Sequence, residues 1–229
     1  MKARYYLLIT ILIANLPMHK LVAQAAKIDS GERESERLRW NQALVKDTTY
    51  PFSKAPNAYL MQVIKGRKVG KAVDIAMGQG RNAIYLAQQG WSVTGFDIAD
   101  EALAFAREDA KRHHVQINIV QQGMEEFNFG TEQWDLISYI YAGCIDDVPG
   151  LIARMKKGLK KGGILVFEFF HRDAGIAMKR DDFGCVTNAT REFLIKEGGF
   201  KIIDYQEKEG RSDYGLDKNK MVYMTAQRQ

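Results

Sequence analysis

Cysteine is scarce: Cys144 and Cys185 are the only two in 229 residues. Two are too few for a disulfide framework, and no spacing among them and the four histidines matches a metal site. A single bridge between them suits an oxidising compartment, but spacing leaves it undecided. Proline is scarce too, at four residues, and no Pro/Ser-rich linker, internal repeat or low-complexity tract divides the chain. Long apolar runs are missing. Residues 5–16 are largely apolar, but Pro17, His19 and Lys20 interrupt any extension. That falls short of the roughly 20 residues a membrane-spanning helix needs, so no stable span is expected. A strong charge excess is missing as well. The formal +5 includes Lys2, Arg4 and Lys20, and falls to +2 without residues 1–25. So small a surplus is poor ground for nucleic-acid binding, and no nucleic-acid partner is expected.

What stands first is a leader pattern. Lys2 and Arg4 precede the apolar run, and Ala23-Gln24-Ala25 supplies small residues two apart. Charged start, short apolar run and small-x-small ending describe a secretory signal peptide over residues 1–25, cleaved after Ala25. The expectation is an exported protein, periplasmic or secreted; a cytoplasmic one is the alternative. No cysteine near the cleavage point suggests a lipoprotein anchor. The remaining residues 26–229 suffice for one α/β domain, with its core at about 32–227.

Apolar runs and helical patterns alternate along that domain. Residues 27–46 and 57–65 read as helices, and 72–76 as a buried strand. Residues 81–89 read as a helix, 91–96 as a strand, and 100–114 as a helix whose last turn holds His113 and His114. Strands are expected at 117–121, 134–141 and 164–170, with a helix at 147–159 between the last two. A helix at 191–197 and an antiparallel pair at 200–207 and 221–226 close the chain. This predicts an α/β fold: a doubly wound, mainly parallel, seven-stranded sheet.

The most informative stretch runs from Ala72 to Asp97: strand, glycine turn, helix, strand, acid. Glycines let a backbone approach a ligand closely, and a helix N-terminus offers unpaired N–H groups. An acid ending the second strand is placed to accept from two ribose hydroxyls. Gly78-Gln79-Gly80-Arg81-Asn82-Ala83 also fits the dinucleotide fingerprint, so an NAD(P)-dependent oxidoreductase is one reading. Asp74, four residues before the first glycine, argues against it, because a carboxylate there repels a diphosphate. It suits a ligand whose nearest group is a cation, such as an amino-acid ammonium.

Asp-x-x-x-Gly-x-Gly-x-Asn followed by Val-Thr-Gly-x-Asp resembles motif I and the second-strand acid of class I S-adenosylmethionine-dependent methyltransferases. Trp40-Asn41, Tyr50-Pro51-Phe52 and Pro56-Asn57-Ala58-Tyr59-Leu60 narrow the likeness to the small-molecule branch, which includes tellurite-resistance and thiopurine methyltransferase-like enzymes. The resemblance implies a Rossmann-like methyltransferase core with N-terminal lid helices, S-adenosylmethionine as cofactor, and a small-molecule acceptor that the sequence does not name. It places Asp74 near the methionine ammonium, and Gly78, Gly80 and Asn82 at the cofactor turn. Asp97 falls on the ribose and Ile98 on the adenine. Where the family carries an acid beside the adenine amino group this chain has Gly123, so Glu125 or the backbone at Met124 would read adenine. Trp40, Tyr50 and Phe52 either line a lid over the acceptor or simply pack helices onto the sheet.

Methyl transfer from a sulfonium needs alignment and desolvation more than activation. The resemblance turns Tyr139 and Tyr141 at the end of strand four toward the methyl group. Amide and adenine acceptors are disfavoured, since no Asn/Asp-Pro-Pro-Tyr sequence occurs. His171-Arg172 after strand five offers a base and a cation: His171 and Tyr139 are the catalytic candidates and Arg172 an acceptor contact, unless this loop is merely solvated. Because S-adenosylmethionine is made in the cytoplasm, an exported enzyme needs a supply outside it. A non-catalytic exported binding protein with the same fold is therefore a further reading.

Overall fold

The computed structural model describes residues 31–47, 52–143, 150–179, 199–215 and 217–229. The expected leader, the helix at 191–197, Tyr50 and both cysteines lie outside the described residues.

Seven strands form one sheet in the order β3-β2-β1-β4-β5-β7-β6. They are β1 Lys71–Ile75, β2 Ser92–Asp97, β3 Ile117–Gln121, β4 Trp134–Ile140, β5 Leu159–Phe170, β6 Phe200–Arg211 and β7 Lys218–Arg228. The first five run parallel, and β7 enters antiparallel between β5 and β6. Strand order reverses between β1 and β4, and the crevice at such a switch point is where open α/β sheets bind ligands.

The parallel strands are apolar because helices cover both faces. Ala72, Val73 and Ile75 of β1 are essentially inaccessible, so Asp74 among them at 2% exposure is an exception that demands a partner. Helix α3 (Arg81–Gln88) starts from Gly80, whose φ of +83° is the left-handed conformation glycine adopts without strain. It lays Ala83 and Leu86, both fully buried, on the sheet, and each fully buried Leu contributes about 1.5–3 kcal/mol. Helix α4 (Asp100–Arg112) buries Leu103 and Ala106 at the expected three-residue step. His113 is its C-cap and His114 takes φ +55°, so both serve the helix end.

Before α3 come helix α1 (31–41), a five-residue π-helical turn Gln42–Lys46, and α2 (Ala58–Ile64). Helices α5 (Leu151–Gly158) and α6 (Arg172–Ala177) flank β5. Three strands extend well past expectation. β5 begins at Leu159, five residues early, because the chain bulges where Trp134↔Leu159 gives way to Leu136↔Ile164. A Cβ on Gly163 would lie 2.9 Å from the carbonyls of Lys160 and Trp134, so only glycine fits the bulge. The two closing strands pair over almost their whole length, from Phe200↔Arg228 to Arg211↔Lys218, well beyond their apolar centres. Among the described residues no helix is long and apolar enough to cross a membrane.

Candidate functional site

A cavity of about 480 Å³ opens at the carboxyl ends of β1, β2 and β4, walled by the turns that follow them. One wall is the glycine turn. Gly78, at φ +53°, faces Leu44 of the π-helical turn, whose methyls lie 3.5 and 3.8 Å from where a Cβ would stand. Its N–H donates to Asp97 Oδ2 at 2.8 Å, while Asp97 Oδ1 accepts from the Ala99 N–H at 2.8 Å. Asp97 thus fastens the turn after β1 to the turn after β2. A carboxylate offers about four lone-pair sites, so these two bonds do not exhaust it. Burial raises the Asp97 carboxyl above the usual carboxylate range, against the pull of the Ala99, Gly78 and Ile98 N–H groups.

Asp74 reaches the same cavity from inside β1. Burial pushes its carboxyl up to about 7, opposed by Ser138, Arg81 and the Ala83 N–H. Ser138 stands opposite it across β1 and β4, close enough to lower that value yet without a well-aligned hydrogen bond. Its hydroxyl is therefore an orphaned buried polar atom beside a carboxylate that lacks a cation of its own. Both conditions are relieved by an ammonium. Phe96, Ile98, Met124 and Ile140 supply an apolar slot beyond Asp97.

The opposite wall is aromatic and backed by a polar network. Phe52 and Tyr214 meet edge to face at 4.6 Å, and Tyr141 packs on Tyr214 at 5.6 Å. The Arg81 guanidinium lies 4.9 Å from the Phe52 ring centroid and pairs with Asp213 at 2.7 Å. Asn57 donates to both Glu168 and Asp213, each at 2.8 Å, and its own N–H donates to Asn82 Oδ1 at 2.9 Å. Tyr141 donates to Glu168 at 3.0 Å and accepts from the Asp213 N–H at 2.9 Å.

Helix α1 covers the opening with Glu32, Arg33, Glu36, Arg39 and Trp40. Most of its side chains are exposed, so apolar burial does not hold it. Polar contacts do. Arg37 and Asn41 both bond Asp100, Asn41 Oδ1 accepts from the Glu101 N–H at 3.1 Å, Lys46 pairs with Glu101 at 2.8 Å and Arg33 pairs with Glu126. The Asn41 amide and then Arg37 hold the Asp100 carboxyl below its usual range against desolvation.

The profile of a methyltransferase domain family matches residues 72–163, the segment from β1 into β5. The protein named "Probable S-adenosyl-L-methionine-dependent methyltransferase TehB" of Haemophilus influenzae is 25% identical over 165 residues, 68% of this chain and 55% of that protein. Residues 72–163 thus carry a methyltransferase domain similar to that of S-adenosylmethionine-dependent methyltransferases. A ubiquinone biosynthesis O-methyltransferase of Glaesserella parasuis is 31% identical over 51% of this chain and 52% of its own length. The chain spans about half the length of the curated relatives it matches. The crystal structure of TehB from H. influenzae superimposes with a TM-score of 0.67 at 20% identity, over 83% of this chain and 67% of that one. Magnesium protoporphyrin IX methyltransferase of Synechocystis, solved with bound S-adenosylhomocysteine, gives 0.60 at 18% identity, over 75% and 80%. The match to the methyltransferase domain and to TehB makes S-adenosylmethionine the cofactor.

The cavity gathers most of the expected residues: Asp74, Gly78, Asn82, Asp97, Ile98, Met124, Glu125, Trp40, Phe52 and Tyr141. Four expected residues lie outside the cavity wall. Gly80 is not in the wall; a Cβ there would meet Met77 Cε at 2.9 Å and Ala106 Cβ at 3.0 Å, so it serves helix packing. Tyr139 is fully buried, stacked on Phe167 at 5.5 Å with its hydroxyl on the Ala142 carbonyl. Strand alternation turns it away from the cavity. His171 is the N-cap of α6, accepting from the Asp173 N–H at 3.1 Å, with Nε2 3.3 Å from Glu207. Arg172 is exposed and also outside the wall. Arg81, Asn57, Glu168 and Asp213 were not foreseen. Glu168 carried the same signal as Asp74, an acid inside an apolar strand.

Proposed function

We infer that this chain transfers a methyl group from S-adenosylmethionine to a small-molecule acceptor. The observation that carries the reading is the meeting of buried Asp74, the Gly78 turn and Asp97 on one cavity at the switch point of the sheet. Asp74 receives the ammonium, which restores the carboxylate that burial disfavours. The free lone pairs of Asp97 accept from the two ribose hydroxyls, and the Gly78 backbone lies along the cofactor. Asn82, oriented by Asn57, stands beside them. Ile98 and Met124 pack on the adenine, with Glu125 at its edge.

When bound, the cofactor supplies an activated methyl on a sulfonium. The chain then has to align the acceptor in line with the departing sulfur and exclude water. Trp40, Phe52, Tyr141 and Tyr214 form the wall that does so. Export of a mature chain starting at Ala26 belongs to the same proposal and rests on residues 1–25. Titration calorimetry with S-adenosylhomocysteine and with NADH tests the assignment. Binding of the former with no heat from the latter is expected; the reverse would end it.

A further inference from the structure

β5 reads Ile-Leu-Val-Phe-Glu-Phe-Phe, and its glutamate is 3% exposed. A carboxylate so deeply placed is costly unless satisfied. Glu168 is satisfied by a phenol and an amide: Tyr141 donates to Oε1 at 3.0 Å and Asn57 to Oε2 at 2.8 Å. Tyr141 is pinned just past the end of β4 at φ +56°, a conformation rare for a residue with a Cβ. Its N–H donates to the Glu168 carbonyl at 3.0 Å, and its hydroxyl accepts from the Asp213 N–H at 2.9 Å. Backbone strain held in place by its surroundings clusters at functional sites. Among the described residues hydrogen-bonded to the Glu168 carboxyl, Tyr141 is the one that also lines the cavity.

Resting on the methyl-transfer reading, we propose that Tyr141 and Glu168 form a proton relay that deprotonates the acceptor, and that the acceptor is therefore a protic nucleophile such as a thiol, hydroxyl or amine. The new bond joins the acceptor heteroatom to the methyl carbon as the carbon–sulfonium bond breaks. The acceptor proton passes to the remaining lone pair of Tyr141 Oη while the phenolic proton moves to Glu168 Oε1. The products are methylated acceptor, S-adenosylhomocysteine and a protonated Glu168.

Two features suit the pair to this step. Burial, with Glu168 and Asp213 nearby, lifts the Tyr141 phenol far above its ordinary range, so it passes a proton in concert and does not ionise. Burial pushes Glu168 up to about 7, where a base operating at neutral pH is most effective. The groups facing Glu168 come from every neighbouring element: Tyr141 after β4, Asp213 between β6 and β7, Arg81 of α3, Tyr59 of α2 and Tyr223 of β7. Of these Arg81 is the cation; it pulls the Glu168 carboxyl down, while its ion pair is with Asp213.

The test uses the whole chain saturated with S-adenosylhomocysteine. Infrared difference spectra through a pH titration read the protonated carboxyl band, with Glu168→Gln as the assignment control. A band titrating near neutral pH, absent in Glu168→Gln and displaced in both frequency and midpoint in Tyr141→Phe, is expected. A Glu168 band titrating near the ordinary glutamate value of about 4.3, or one indifferent to Tyr141→Phe, overturns the relay. Turnover adds a second reading with 2-mercaptoethanol as protic acceptor and iodide as aprotic one. A loss of thiol methylation in Tyr141→Phe at least tenfold greater than the loss of iodide methylation supports the relay. Equal effects on both probes overturn it. Failure of the wild-type chain to bind S-adenosylhomocysteine would instead remove the cofactor assignment beneath it.

Discussion

Replacing Asp97 by alanine should damage two things at once, and they can be measured apart. In the free protein the carboxylate holds the Gly78 and Ala99 N–H groups, each at 2.8 Å, at a position 6% exposed. Alanine leaves both donors without an acceptor. Each buried unsatisfied group costs about 1–3 kcal/mol, and two within one latch are not independent. A stability loss of about 2–4 kcal/mol follows, which in a domain of this size lowers the melting temperature by on the order of 10 °C. Binding loses the acceptor for two ribose hydroxyls. At about 1.5–3 kcal/mol per charge-assisted bond, again not fully additive, affinity for S-adenosylhomocysteine should fall roughly thirtyfold to a thousandfold. Asp97→Asn is instructive because one of its terminal atoms is a donor, which must face either the Gly78 or the Ala99 N–H. It should keep part of the affinity while losing about as much stability as alanine at one of the two contacts. Thermal melts and titration calorimetry on the same samples separate the effects. An alanine variant that is destabilised yet binds normally would mean the ribose lies elsewhere. One that also melts normally would refute the latch.

Other outcomes follow from the same cavity. Because Asp74 carries a carboxyl pushed up to about 7 and the ammonium needs it ionised, affinity for S-adenosylhomocysteine should fall about tenfold per pH unit below that value; calorimetry in Asp74→Asn should show weak, pH-flat binding. The same shift makes folding favour the protonated form, so Asp74 costs stability as pH rises from the unfolded value through about 7. Gly80→Val should lower the melting temperature first and affinity second, because its Cβ would meet Met77 and Ala106 behind the turn. His171→Ala should cost about 1 kcal/mol of stability as a lost N-cap and leave S-adenosylhomocysteine affinity unchanged. N-terminal sequencing of the exported protein should begin at Ala26; a retained Met1 would refute export alone.

The parallel half of the sheet was legible because its strands are apolar runs cut off by glycines and acids. Asp74 and Asp97 were legible because a carboxylate inside such a run must answer to something. Glu168 lies in an equally apolar run, but its partners Asn57 and Tyr141 are 111 and 27 residues away along the chain, and spacing is blind to contacts of that range. Tyr139 and Tyr141 differ by two residues and would share a face if β4 continued. It ends at Ile140, and the positive φ at Tyr141 redirects that side chain. His171 looked available because it follows a strand end, but its ring closes the first turn of a six-residue helix. Side-chain capping of that kind has no periodic signature.

The place of β7 bears on how the chain is made. Residues 218–228 leave the ribosome after every strand they join, yet they lie inside the sheet, flanked by β5 and β6. Until they emerge, β5 presents an unpaired edge of apolar residues, the kind of edge that recruits other chains. β6, synthesised earlier, has no partner to dock on, since all its ladder contacts are with β7. Closure of the sheet therefore waits on residues 218–228, and until they arrive the β5 edge is open to pairing with other chains.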